Sequence, residues 1–114
     1  MGLPVIGWLT DPPAGDTALT GTMLVAENGC FHLETEQGHL FVVWPDDFEH
    51  DAARVRTDEG LPIADGDQVS GSGVVLDAAA ATEAGGGRDS QLGQAIQYCA
   101  GGADVAVLSE VTTP

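Results

Sequence analysis

Cys30, His32 and His39 fall within one short stretch, ENGCFHLETEQGHLFVVWP, residues 27–45. Thiolate and imidazole are the ligands zinc prefers, and a thiol beside an imidazole is also a nucleophile beside its base. Spacing decides between those chemistries and none. CFHLETE alternates as a strand does, so Cys30, His32 and Glu34 share one face. A three-residue loop, Glu36-Gln37-Gly38, pairs Thr35 with His39, sets His32 opposite Val42 and sends His39 to the other face. A two-residue loop, Gln37-Gly38, returns His39 to the first face. It then lies roughly 20 Å along the ladder from Cys30, at about 3.3 Å per residue. Neither arrangement closes a tetrahedral zinc site, whose bonds are about 2.0–2.3 Å. The three side chains read as ordinary strand residues, and no metal is expected.

Two cysteines, Cys30 and Cys99, leave three accounts open. A disulfide would close a long loop and stabilise by roughly 3–4 kcal/mol. Two buried thiols would suit a reducing cytosol. A catalytic thiol would need a base and a cleft, and only His32 shares the face of Cys30. Other candidates are weaker. SGSG, residues 70–73, sits inside a strand and lacks the Gly-x-Ser-x-Gly elbow. Gly85-Gly86-Gly87-Arg88 precedes a helix start but has no Gly-Lys-Ser/Thr, so it reads as a linker. The carboxylate pairs Asp46-Asp47, Asp58-Glu59 and Asp65/Asp67 do not follow calcium-loop spacing. Two carboxylates without a long cleft do not make a glycosidase. No catalytic residue and no cofactor is expected, and the chain reads as non-enzymatic.

The elements that would carry these residues are mostly strands. LPVIGWL, residues 3–9, is a first strand or an arm on the core, and TDPPAGD is turn or linker. TALTGTMLVA, residues 17–26, is a strand, followed by an Asn28-Gly29 hairpin turn. HLFVVW is apolar on both faces until Pro45 stops it, as in a strand buried on both sides. These three strands form a meander. DDFEHDAA, residues 46–53, reads as a loop or one helical turn. Residues 53–64 form a loose hairpin around Asp58-Glu59-Gly60. Asp65-Gly66-Asp67 turns the chain into QVSGSGVVL, residues 68–76, where Gly71 and Gly73 allow sharp bending. DAAAATEAGGG is a small-residue excursion. In SQLGQAIQYCAGG, Leu92, Ile96 and Cys99 fall at helical spacing, with Ser90 as cap and Gly101-Gly102 as the end, so a short helix is preferred to a strand over 95–99, although Gly93 weakens it. DVAVLSEV closes as a strand. The expectation is one mainly β domain over 1–114: a small OB-like barrel or sandwich of about six short strands with one late helix. Residues 1–16 are its arm and linker, and 77–89 a flexible excursion.

GTMLVAENGCFHLE, FVVWP, LPIADGDQVSGSGVV and the late Cys99 together resemble small actinobacterial β-barrel proteins of unknown function. Their pattern is a strand ending in Gly-Cys, a Trp-Pro step, and a Gly-Asp-x-Val turn into a glycine-rich strand. The likeness covers about residues 20–76 plus Cys99. It implies the barrel, the Cys30–Cys99 bridge and an extracytoplasmic place. It implies no activity.

Over its 114 residues the chain carries 18 acidic residues, three arginines (Arg54, Arg56, Arg88) and no lysine, a net charge of −15. Such a field repels nucleic acid and anionic membranes, so neither is expected as a direct partner. No apolar run reaches membrane-spanning length. The start lacks the basic residues and cleavage site of a signal peptide. The sequence therefore reads as a trimmed mature extracytoplasmic domain or a cytosolic one. A basic protein is the partner the charge would attract. The candidate contact surface is Trp8 with the acidic stretch Asp46, Asp47, Glu49 and Asp51. Trp8 and Trp44 read most simply as core, and an exposed Trp8 on the arm would instead mark a docking surface. The second functional reading is an acidic inhibitor, a nucleic-acid mimic that fills the basic groove of a nucleic-acid-binding protein.

Overall fold

The computed structural model describes residues 4–10, 15–25, 30–36, 38–46, 48–51, 54–99 and 103–112; for His50, Asp51 and Thr112 it describes the backbone alone. A 3-10 turn, Ile6–Trp8, opens the chain. It is followed by β1 (Thr17–Val25), β2 (Phe31–Thr35) and β3 (Gly38–Val43), which form the expected meander. Three short strands come next: β4 (Glu49–Asp51), β5 (Arg54–Arg56) and β6 (Pro62–Ile63). The long β7 (Gln68–Leu76) leads to two helices, α1 (Ala78–Ala84) and α2 (Gln91–Cys99), and β8 (Asp104–Thr112) ends the description.

Five strands close into a barrel in the order β1-β2-β3-β8-β7, with β4, β5 and β6 forming a separate small sheet. All neighbours in the barrel are antiparallel except β3 and β8, which run parallel. Parallel neighbours require a long crossover. Here it contains the small sheet, β7 and both helices. The result is a small OB-like barrel, as the strand pattern predicts.

Apolar side chains separate into two layers. Met23, Phe31, Leu33, Val42, Trp44, Val69 and Leu108 fill the barrel, and Phe48, Val55 and Ile63 of the small sheet join them. Phe41 and Val43 of β3, with Val105 and Val107 of β8, face outward. They pack under Ala81 of α1 and Leu92, Ala95 and Ile96 of α2. β3 is thus covered on both faces, which explains its unbroken apolar run. Trp44 is fully buried inside, stacked on Phe48 at 6.1 Å between ring centroids. β7 crosses β8 so closely that a Cβ on Gly73 would overlap Val107 O, beside a bulge between Ser72 and Gly73. Only glycine fits that crossing.

Three details differ from expectation. The β2–β3 register pairs His32 with Phe41, Glu34 with His39 and Thr35 with Gly38. The turn comes earlier than either expected loop. Gly38, at φ +118°, is already the first strand residue, and its carbonyl accepts the Thr35 hydroxyl at 2.9 Å. His39 consequently shares the face of Glu34.

Residues 49–51 form a strand where a loop or helical turn is expected. The ladder sets Glu49 opposite Arg56, opposite charges that favour pairing. The alanine run becomes α1 because alanine is the best helix former and Asp77 caps it, its Oδ1 accepting from Ala80 N–H at 2.7 Å. There are therefore two short helices and eight strands among the described residues.

The N-terminal arm takes the packed reading. Ile6 N–H donates to Trp44 O, and Trp44 N–H to Pro4 O, both at 2.9 Å. Pro12-Pro13, the Asn28-Gly29 turn and the Gly101-Gly102 helix end lie outside the described residues.

Candidate functional site

Cys30 lies just before β2 and Cys99 is the last residue of α2, and their sulfurs are joined in a disulfide. The bridge fastens the helix to the barrel wall, as the family resemblance implies. Both thiols are consumed, so neither can serve as nucleophile or metal ligand. His32, half-buried on the same face, lies with Nε2 2.9 Å from Cys99 O. The carbonyl must accept, so Nε2–H donates to one of the last carbonyls of α2. The ring also meets Phe41 edge-on at 5.9 Å. His39 sits across the ladder beside Glu34, 3.8 Å between Nε2 and Oε1, with both side chains more than half exposed. Cys30, Cys99 and His32 together hold the end of α2 against the barrel wall. No group of three or more His, Cys, Asp or Glu is arranged to hold a metal ion among the described residues.

The feature with binding character is elsewhere. An open groove of about 480 Å³ lies where the arm, the segment after β3, the β5–β6 hairpin tip and the end of β8 meet. Ile6, Phe48 and Val111 give it apolar lining, and Asp46, Asp58, Glu59 and Glu110 bring four carboxylates. The carboxylate of Asp46 is held directly, and the backbone that carries the other three is organised locally. The Asp46 carboxylate accepts Gly7 N–H at 2.7 Å, anchoring the arm. The Asp58-Glu59 tip is organised by the buried Thr57, whose hydroxyl accepts from Glu59 N–H and Leu61 N–H at 3.3 and 3.1 Å. The Arg56 guanidinium donates to Gly60 O at 3.2 Å on the far limb of the same turn. Glu110 lies on β8 opposite Ser72, where Ser109 Oγ donates to Ser72 O at 3.1 Å. Among the described residues, no cation pairs with any of the four carboxylates. Like charges gathered on one face add to a local negative potential, which the open groove presents to solvent.

Of the candidate contact residues, Asp46 lies in this groove and is exposed. Glu49 is exposed on β4, outside the groove lining. The backbone of Asp51 ends β4, and Asp47 lies outside the described residues. Trp8 is half-buried, packed against the layer between barrel and helices. Sequence reasoning did not connect Asp58, Glu59 and Glu110 to Asp46. Asp58-Glu59 carries the signature of a turn and Glu110 that of a strand, and only the packing of the small sheet on the closed barrel brings them together.

Compared with protein-family models, curated proteins and solved structures, the chain matches none of them.

Proposed function

We propose that this domain is a non-enzymatic binding module that receives a basic protein segment in the acidic groove. The observation that carries the reading is the set of four carboxylates, Asp46, Asp58, Glu59 and Glu110, lining one groove with Ile6, Phe48 and Val111 and without cationic partners among the described residues. A lysine or arginine side chain is the complementary guest, since its stem suits Ile6 and Val111 while its head reaches the carboxylates. The overall charge of −15 adds long-range attraction for such a partner.

The Cys30–Cys99 bridge supports work in an oxidising, extracytoplasmic compartment, where disulfides persist. No helix among the described residues is long and apolar enough to cross a membrane. The second reading, an acidic inhibitor seated in the basic groove of a nucleic-acid-binding protein, draws on the same charge and the absence of lysine.

An NMR titration of the labelled domain with a lysine-rich peptide tests the principal reading. Shifts are expected to gather at Asp46, Asp58, Glu59 and Glu110 and to fade as salt is raised. Shifts scattered over all acidic residues would contradict it.

A further inference from the structure

β1 is paired unequally on its two sides. Residues Thr22 to Val25 pair with β2, whereas Thr17 to Thr22 pair with β7. Met23 N–H donates to Asp67 O and Met23 O accepts from Gly66 N–H, both at 2.8 Å and both on the β7 side. Alternation along the strand then aims the backbone groups of odd-numbered residues toward β7 and those of even-numbered residues away from it. Thr22 and Leu24 meet β2 in this way, opposite Glu34 and His32. Ala18 and Thr20 have the same orientation, but no strand lies beyond them among the described residues, and both are exposed.

Beside this bare edge runs a second open groove of about 460 Å³, closed on its far side by the end of the β2–β3 hairpin at Glu34, Thr35 and Glu36. A bare edge with free N–H and C=O groups is a template for one more strand. The charge selects which strand. Glu34 and Glu36 border the groove, exposed Asp16 precedes the edge, and no arginine lines it. A second copy of the chain would bring another −15 to the same place, which repulsion opposes.

We propose that the edge of β1 at Ala18 and Thr20 captures an extended peptide bearing lysine or arginine at alternate positions, added as a strand of the barrel wall. This contact uses residues separate from the groove at Asp58 and Glu59, and neither site depends on the other.

The test follows amide hydrogen exchange in the labelled domain at low ionic strength. The probes are a short capped peptide of alternating lysine and valine and its backbone N-methylated twin. The unmodified peptide is expected to slow exchange at Ala18 and Thr20 by at least about tenfold, and the N-methylated twin to leave it unchanged. Thr20→Pro removes an N–H that the strand's alternation turns away from β7, at a position where an edge strand tolerates proline, and abolishes that protection. Glu34→Gln with Glu36→Gln weakens peptide binding several-fold in a chain whose fold is untouched, which keeps the test decisive should the proline variant fail to fold. The Asp58→Asn/Glu59→Gln variant keeps the protection, which separates this site from the acidic groove. Three results overturn the proposal: peptide bound with Ala18 and Thr20 unaffected, no binding at all, or those amides already protected without peptide, as self-association or coverage by the chain itself would cause.

Discussion

Joining Cys30 to Cys99 ties residues 69 positions apart, so the bridge restricts the unfolded chain over most of its length. On the loop-entropy relation that constraint is worth about 4 kcal/mol. Replacing both residues, Cys30→Ala with Cys99→Ala, is expected to lower the unfolding free energy by about that amount in urea titrations, with the barrel still folded. An unchanged denaturation midpoint would show that the bridge adds nothing to the fold. Gly73→Ala is the second prediction at this scale. Its new Cβ meets Val107 O at a backbone crossing that cannot yield cheaply, and about 2 kcal/mol or more of stability is expected to be lost. The sequence displayed these residues but not their tasks. Cys30 and His32 on one strand face were legible from alternation alone, whereas the hydrogen bond from His32 to Cys99 O depends on where a helix 67 residues later comes to rest.

Among the elements, those with strong periodicity were the legible ones. β1, β7 and β8 follow from alternation and turn residues, and α2 from its apolar spacing. α1 was hidden because alanine supplies helix propensity without an apolar stripe, so DAAAATEA resembles low-complexity sequence. Its cap is the testable part. Asp77→Ala should cost about 1 kcal/mol, read by thermal unfolding, because Ala80 N–H loses its acceptor. Leu92→Ala, which empties a fully buried position between the helices and the barrel, should cost about 2–5 kcal/mol. Equal effects from the two substitutions would contradict the view that packing dominates capping in this layer. The β2–β3 register was unreadable for a different reason. Loops of similar length around Glu36-Gln37-Gly38 differ only in where the positive φ falls, and Gly38 could occupy more than one turn position.

For the whole molecule, charge and closure act together. The excess of acid over base was plain from composition, but the linear order of the acids singled out only the stretch at Asp46, Asp47, Glu49 and Asp51. Barrel closure and the packing of the small sheet against it gather Asp46, Asp58, Glu59 and Glu110 from three separate segments around one groove. If the groove is the binding site, position matters beyond total charge, and that distinction gives the most direct measurement. Binding of a lysine-rich peptide would be compared, at fixed salt, in two variants of equal net charge. One carries Asp58→Asn, Glu59→Gln and Glu110→Gln in the groove. The other carries Glu83→Gln, Asp89→Asn and Asp104→Asn, which are exposed and line no part of it. The groove variant is expected to lose at least about tenfold in affinity, whereas the other loses only the small share due to the reduced overall field. Equal losses in the two variants would contradict a groove-specific site and leave only diffuse attraction to an acidic surface.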